Sequence, residues 1–408
     1  MKTFKHRFIW IISLMSITGS LSAQSILGGN SFITVLGAVV ILITLFVLAQ
    51  MADSLLQVEA SKQGLDGHKH KVSLIPSWKD IFGNKKPSYA SEKAMFRLDK
   101  GYNIKLRGKA ELKLKEVNTN RYAVQPTNFR GIAPIPKLVV EIGQTVKAGD
   151  PIFFDKSNPD IQYVAPVSGE IVEVNRGEKR AVTEVVILAD KEQQSREYKA
   201  PDPEKASREE LVEFLISSGA WPLIIQRPFD IVPDVDQVPD NIFISTFNTA
   251  PLAANRDLLL QGKEDDFHKG LEVLSKLTKG KVYLGLSANG KDAPAKVFTE
   301  APAEQVYFKG PHPSGNVGIQ IHHIAPIGAN GMVWTAGVQD VATIGALFTK
   351  GIFDSTRVVA LAGVPFKEGC YAKTRLGANI GDLVTGHVEH EKIRYVSGDV
   401  LSGNEKTT

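Results

Sequence analysis

The sequence has very little of what redox proteins use to hold metal clusters, since its 408 residues include a single cysteine, Cys370. One thiol cannot form an internal disulfide, and an iron–sulfur cluster is normally held by four thiolates. A structural zinc site also needs several Cys or His ligands. The chain alone therefore cannot hold a conventional all-cysteine cluster, and we expect Cys370 to be a half-buried structural thiol between two strands.

Catalytic and nucleotide-binding fingerprints are missing as well. The sequence contains no G-x-G-x-x-G, no P-loop, no G-x-S-x-G and no H-E-x-x-H. The formal charge of +4 is small for this length, which does not suggest a nucleic-acid partner. The hydrophobic fraction of 43% and the charged fraction of 23% are typical of a globular body with room for two or three domains.

The amino-terminal region lacks charge altogether, because residues 8–52 contain no Asp, Glu, Lys or Arg. Residues 8–23 have the layout of a signal peptide, and residues 32–51 are about long enough to span a bilayer. We therefore assign residues 1–52 to a signal-like segment and a transmembrane helix. Basic residues flank this region on both sides, so the positive-inside rule places the body of the chain in the cytoplasm.

The rest of the chain divides into a linker and three domains. Residues 53–93 are predicted to be a linker in which the membrane helix continues for about two turns, residues 94–190 a β-rich domain, and residues 204–352 an α/β domain. Residues 353–400 form the last domain, with a strand, a turn, a second strand and a short helix within 356–386. The predicted fold class is a multidomain α/β (α+β) protein.

The β-rich domain carries two glycine-punctuated hairpins, "VEIGQTVKAGDPIFFDK" at 140–156 and "VAPVSGEIVEVNRGEKR" at 164–180. The pair resembles the biotinyl/lipoyl hammerhead, in which a carrier lysine sits at the tip of the central turn. That position is Asn158 here, and Lys156 lies two residues away on a turn that Pro159 is expected to lengthen. We therefore interpret the module as a compact scaffold without a prosthetic group. A membrane-fusion adaptor of an export system, which joins a membrane anchor to a similar barrel, is the alternative.

The helices and strands of the α/β domain are predicted from the spacing of its apolar residues. Ser207 and Glu210 predict a capping box that opens its first helix. Strands are predicted at 241–247, 281–287 and 304–310, with one helix ending near Gly280 and another over 338–349. Such strand–helix–strand order implies right-handed crossovers and a parallel sheet.

The stretch "GPHPSGNVGIQIHH" at 310–323 holds the best candidates for a binding site. Gly315 and Gly318 suit close approach of a ligand to the backbone, although turn formation is the simpler interpretation. Histidine at 312, 322 or 323 is a good donor to a quinone carbonyl at neutral pH. A strand would point the adjacent His322 and His323 to opposite faces, and partly exposed polar residues beside a turn are the plain alternative.

From about Met95 to Asn404 the chain resembles the A component of bacterial Na⁺-translocating NADH:quinone reductases. The residues that carry the resemblance are "FFDKSNPDIQYVAPVSGEIVEVNRGEKRAV", "IIQRPF", "NTAPLAAN", "FKGPHPSGNVGIQIHH" and "VWTAGVQDVATIGALFTKG". The resemblance implies a hammerhead-like domain, a Rossmann-like domain and a β-grasp, soluble-ligand-binding segment. The apolar leader is foreign to this family, whose chains also continue beyond residue 404.

The resemblance also implies a function. It places the chain at the inner membrane as a peripheral subunit on the cytoplasmic side. There it docks on the membrane-embedded B component of a complex that couples NADH oxidation by quinone to Na⁺ export. Flavins and the iron–sulfur cluster are expected in partner subunits, and no cofactor, metal or catalytic redox centre in this chain. The residues predicted to face quinone are Gly310, His312, His322 and His323.

A free-standing flavin or NAD dehydrogenase is a third interpretation of the chain. The missing glycine-rich loop argues against it, because a dinucleotide normally rests its pyrophosphate on such a loop.

Overall fold

The computed structural model describes residues 30–62, 86–132, 135–388 and 392–406. These fall into two compact units, Met1–Lys85 and Lys86–Thr408. In the first unit the described residues form the helix α1, Asn30–Lys62. Its segment Thr34–Leu56 is long and apolar enough to cross a membrane. The helix thus continues past residue 51, as predicted, whereas the signal-like segment at 8–23 lies outside the described residues.

The second unit contains strands and short helices throughout. The strands are β1 Ala94–Arg97, β2 Leu114–Glu116, β3 Arg121–Val124, β4 Lys137–Leu138, β5 Thr145–Val146, β6 Pro151–Asp155, β7 Asn158–Val164, β8 Gly169–Arg176, β9 Val182–Ala189, β10 Ile225–Arg227, β11 Ile242–Ser245, β12 Val282–Ser287, β13 Glu304–Lys309, β14 Val333–Thr335, β15 Thr356–Leu361, β16 Cys370–Arg375, β17 Tyr395–Ser397 and β18 Asn404–Lys406. The helices are α2 Arg208–Ser217, α3 Arg256–Leu259, α4 Glu264–Leu277, α5 Lys296–Thr299, α6 Val317–Ile324, α7 Val338–Thr349 and α8 Ile380–Val384.

Two small antiparallel sheets form a β module from residues 121–189. Their strand orders are β3-β9-β8-β5 and β4-β6-β7. Apolar side chains from both sheets, including Ile152, Phe153 and Ile171, are fully buried between them. Gly169 has φ +157°, and a Cβ there would lie 2.8 Å from the carbonyl carbon of Leu188, so only glycine allows the chains to approach this closely.

The turn at the tip of this module differs from the sequence prediction. β6 ends at Asp155 and pairs with Asn158, so the turn contains only Lys156 and Ser157. The Asp155 carboxylate accepts a 3.1 Å hydrogen bond from the Ser157 amide, which tightens the turn. Pro159 does not lengthen it, because β7 is an edge strand and the missing N–H of proline is tolerated there.

The α/β domain is built on a six-stranded sheet with the order β1-β13-β12-β11-β14-β10. All neighbouring pairs are parallel except β10 and β14, which confirms the predicted parallel sheet. The capping box of α2 is also confirmed, since the Ser207 hydroxyl accepts from the Glu210 amide and the Glu210 carboxylate accepts from the Ser207 amide. Trp334 on β14 is fully buried and packs edge-on against Trp221.

The described residues between Lys86 and the β module are divided among the domains. Part of the predicted linker belongs to the body, since Ala90 is fully buried in its core. β1 pairs with β13 of the α/β sheet, and β2 pairs with β16 next to β15. The sequence groups these two strands with the β-rich domain, but they complete sheets whose other strands come much later. Their few residues carry no alternation strong enough to reveal such distant partners.

Candidate functional site

The candidate residues lie where the chain leaves the carboxyl end of β13. Gly310 donates its amide to Asn289 Oδ1 at 2.8 Å, and its carbonyl accepts from Asn289 Nδ2 at 3.0 Å. Gly310 has φ +151°, and a Cβ there would lie 2.9 Å from the Cβ of Leu98 and closer still to the carbonyl oxygen of that residue. Glycine at 310 is therefore required by the close packing of the loop after β1.

His312 is half-buried in a network of polar groups that includes residues from two distant segments. Its amide donates to Asn103 Oδ1 at 2.9 Å, and its carbonyl accepts from the Tyr102 amide at 3.0 Å. Its Nδ1 lies 3.1 Å from Thr249 Oγ1, and that hydroxyl accepts from the Gly315 amide, also at 3.1 Å. The Thr249 hydroxyl is then free to donate to Nδ1. This assignment leaves the proton on Nε2, which can donate to a carbonyl oxygen.

His322 and His323 lie on the last turn of α6, not on a strand as the sequence analysis considered. Their ring centroids are 5.2 Å apart at an interplanar angle of 75°, and the His323 ring lies 5.6 Å from that of Phe96. His322 is exposed and His323 is half-buried. The pair thus neighbours β1, whereas His312 contacts Asn103 and Thr249.

The two other glycines of this stretch have different surroundings. The Gly315 amide donates a hydrogen bond to Thr249 Oγ1. A Cβ at 315 would lie 2.7 Å from the Thr249 amide nitrogen, so glycine is needed here for the loop to pack closely. Gly318 lies in the first turn of α6, with open space where a Cβ would project. An anion nest formed by both glycines is therefore not what this loop presents.

A buried polar cluster supports the loop from below. Gln320 Nε2 donates to Ser245 Oγ at 3.0 Å and to the Ser314 carbonyl at 3.3 Å. Ser245 Oγ lies 2.8 Å from the Phe247 carbonyl and 2.9 Å from the Gly315 carbonyl. These bonds tie α6, the end of β11 and the loop after β13 together, so the loop is held in one arrangement.

An arginine missed by the sequence analysis lies at the same edge of the sheet. The Arg256 guanidinium donates to the Ser245 carbonyl. Burial lowers the pKa of Arg256 to about 10, and Asp340 partly opposes this shift. The side chain therefore stays charged at neutral pH and adds a fixed positive charge beneath the loop.

The turn between β17 and β18 carries a partly buried carboxylate, Asp399. Burial alone would raise the pKa of Asp399, but hydrogen bonds from Ser402 and Leu401, with a smaller electrostatic contribution from His312, hold it below its usual value. The Ser402 hydroxyl donates to this carboxylate at 2.8 Å.

The described residues include no group of three or more His, Cys, Asp or Glu side chains that could hold a metal ion. Cys370 is the first residue of β16 and is buried, rather than half-buried between strands as predicted. A groove of about 870 Å³ lies elsewhere, between β7 and α2, and none of the four candidate residues lines it. It is wide open and rimmed by both acidic and basic side chains. The groove and the polar network around His312 are therefore separate places on the fold.

The architecture defines a class of multidomain chain in which a small β module precedes a parallel α/β domain. Three family models match successive parts of the chain. Residues 96–190 match the NqrA N-terminal barrel-sandwich hybrid domain, residues 206–353 the NqrA second alpha/beta domain, and residues 358–408 the NQRA C-terminal domain. The fold is thus mixed α/β, with a barrel-sandwich hybrid domain and one apolar N-terminal helix.

Curated relatives agree with these matches. The A components of Na⁺-translocating NADH-quinone reductase from Shewanella amazonensis, Saccharophagus degradans and Neisseria gonorrhoeae are 42%, 34% and 37% identical to the chain over 274, 317 and 313 residues. The aligned part covers 67%, 77% and 76% of this chain, and 60%, 70% and 69% of the respective relatives. The chain belongs to the NqrA family of Na⁺-translocating NADH-quinone reductases, and the export-adaptor alternative is not favoured.

Proposed function

We propose that the chain works as the A component of a Na⁺-pumping NADH:quinone oxidoreductase, coupling NADH oxidation by quinone to Na⁺ export as part of a complex. The observation that carries this is the succession of three family domains between residues 96 and 408. Relatives that share 34–37% identity over more than three quarters of the chain are A components of Na⁺-translocating NADH-quinone reductase. The redox cofactors, flavins and an iron–sulfur cluster, would reside in partner subunits.

The finer fold assignments are part of this proposal. The order β13-β12-β11-β14, all parallel, supports a Rossmann-like domain over residues 204–352. The antiparallel pair β15–β16, followed by the short helix α8, supports a β-grasp segment over residues 353–400. The β module with the exposed Lys156 at its tip would act as a scaffold over residues 94–190.

We place the body on the cytoplasmic side of the inner membrane, docked on the membrane-embedded B component. The apolar segment Thr34–Leu56 supports a membrane anchor, because its 23 residues rise about 35 Å as a helix, enough for a hydrocarbon core of about 30 Å. The lone, buried Cys370 suits a reducing compartment.

Quinone would bind beside the loop after β13, with Gly310 shaping the backbone and His312 donating from Nε2 to a quinone carbonyl. The hydrogen bond between His312 Nδ1 and the Thr249 hydroxyl supports this role, because it leaves the ring proton on Nε2. His322 and His323 on α6 would form the second part of the quinone-facing surface. The proposal needs no chemistry on this chain beyond orienting the substrate.

The test is the purified complex carrying His312→Ala. We expect quinone reduction to weaken about tenfold, as loss of one hydrogen bond to substrate would cause, while NADH oxidation by an artificial acceptor stays intact. His387→Ala is the matched control, since that histidine lies after α8 and its backbone carbonyl, not its ring, accepts from the Lys367 amide. Unchanged quinone kinetics would discard the His312 assignment, whereas failure of the wild-type chain to co-purify with the other subunits would refute its place in the complex.

A further inference from the structure

The segment that joins β1 to β2 contacts His312 through the Tyr102 amide and the Asn103 side chain, but it also exposes a row of apolar side chains that the proposed site does not use. Tyr102, Ile104 and Leu106 alternate along it, with relative exposures of 76%, 42% and 47%. No helix or strand is formed between residues 98 and 113. Contiguous exposed apolar side chains on a globular body usually mark a surface that something else covers.

The same segment is strongly basic. Between residues 100 and 110 there is no Asp or Glu, while four cations are present and exposed: Lys100, Lys105, Arg107 and Lys109. Among the ion pairs of the described residues none includes these four, although neighbouring basic residues are paired, as in Arg97–Asp99 and Lys113–Glu111. The positive charge is therefore available to an external anionic surface.

Both ends of the segment are fixed to the body. The Tyr102 amide donates to the His312 carbonyl at 3.0 Å, and the Gly108 carbonyl accepts from the Gly363 amide at 2.7 Å. Gly108 has φ +89° and packs so closely that a Cβ there would lie 2.5 Å from the Val364 amide nitrogen. Val364 is itself 66% exposed and extends the apolar row. The row thus projects from a defined place on the fold.

We infer that this segment, residues 100–109, rests on an anionic lipid surface, an inference that builds on the membrane anchoring proposed above. An aromatic and two aliphatic side chains interleaved with cations match the chemistry of the membrane interface. The side chains project instead of lining a recess, which suits a fluid surface better than a shaped protein partner. α1 ends about 40 residues earlier in the chain, so a lipid surface would be available at high local concentration.

The size of the effect follows from the charges. A Lys or Arg near an anionic leaflet contributes about a fivefold change in the binding equilibrium. Replacing Lys105, Arg107 and Lys109 with Gln should therefore lower the ratio of surface-bound to free segment roughly a hundredfold. Because exposed charges are screened within about 8 Å at physiological salt, raising the salt concentration should act in the same direction.

The experiment uses the full chain in lipid nanodiscs. A Tyr102→Cys variant carries an environment-sensitive fluorophore, and the discs contain either phosphatidylcholine alone or phosphatidylcholine with phosphatidylglycerol. Cys370 is buried, and the parent chain without the new cysteine measures its residual labelling. We expect a blue shift in the phosphatidylglycerol discs that high salt and the triple Gln variant abolish. Ile142→Cys, at a 65% exposed position of the β module, is the matched control and should show no shift.

Each other outcome counts against the inference in its own way. If the chain incorporates into discs but the label at 102 is indifferent to phosphatidylglycerol, the lipid contact is wrong while the anchoring stands. An equal shift in both disc types would refute the role of charge. A shift that appears only when partner subunits are added would show that a protein covers the row. Failure to incorporate into discs at all would remove the membrane anchor, and the lipid contact with it.

Discussion

The contact between α4 and α7 makes a sharp test of how the α/β domain is held together. The two helices approach through two glycines, and a Cβ on Gly345 would lie 2.7 Å from both the Gly270 amide nitrogen and the Asp266 carbonyl carbon. It would lie closer still to the Asp266 carbonyl oxygen. These are backbone atoms of α4, which cannot rotate away as a side chain could. Gly345→Ala must therefore push the two helices apart by about 1 Å.

The displacement costs more than the clash alone. Asp266 is only 3% exposed, and its carboxylate accepts from Thr349 Oγ1 and Lys350 Nζ, each at 2.6 Å. Both donors lie at the end of α7, so moving that helix strains these bonds. Overpacking costs about 1–3 kcal/mol, and a weakened hydrogen bond to a charged group adds about 1.5 kcal/mol. We expect a loss of about 3 kcal/mol and a fall of roughly 5–10 °C in the melting temperature.

Gly318→Ala is the matched control. That glycine also lies in a helix, α6, but has open space where a Cβ would be. Alanine there removes only the entropic cost of helical glycine, so we expect no loss and a gain of up to about 1 kcal/mol. The assay is thermal unfolding of both variants in the same detergent. If Gly345→Ala has the same melting temperature as the wild-type chain, α4 and α7 are not held as close together as the structure shows, and the reasoning is wrong.

Three further outcomes follow from local contacts. Burial raises the pKa of Asp354, but the Lys263 ammonium and nearby hydrogen bonds outweigh burial and hold this pKa at about 2. Lys263→Met should therefore move acid unfolding to higher pH. The stability from this pair is present above about pH 4 and lost towards pH 2. Ser207→Ala should lower stability by about 1 kcal/mol in a thermal shift, through loss of the cap on α2. Asn289→Ala should speed amide hydrogen exchange in the loop after β13, since both of its bonds to that loop are lost.

The Ser207→Ala prediction has a matched control variant, and the other two predictions each have an outcome that would contradict them. Ser217→Ala, on the exposed last turn of the same helix, should leave the stability within about 0.5 kcal/mol of the wild type. Burial also disfavours the charged form of Lys263, since it lowers the pKa of that ammonium. If Lys263→Met and the wild-type chain unfold at the same acid pH, the cost of burying both charges cancels the benefit of the pair. Unaltered exchange in Asn289→Ala would mean that other contacts suffice to hold the loop.

Elements whose cause lies within a few residues could be predicted from the sequence. The helix predicted over 338–349 is α7, with the same bounds, because its apolar period and its flanking glycines are local signals. The cap at Ser207 is equally local, since donor and acceptor lie three residues apart. The parallel order of the central strands followed from the helices between them.

The surroundings of the candidate histidines could not be predicted in this way. His312 is positioned by Asn103 and Thr249, which are 209 and 63 residues away in the chain. Neither residue belongs to a motif, because an amide or hydroxyl side chain in a loop is compatible with any turn. The helical state of the pair His322–His323 was also missed, since α6 has only eight residues and little sequence in which to show a period.

The sequence by itself determined the absence of thiols for a cluster, the apolar span near the amino end and the main helices and strands, because composition and period act over short distances along the chain. Only the tertiary structure decided that β1 and β2 join sheets built from residues near 306 and 372, and that three separate loops meet at His312. Such contacts depend on which distant surfaces are complementary after the chain has closed its long loops. That complementarity is a property of packed surfaces, and no single stretch of residues carries it.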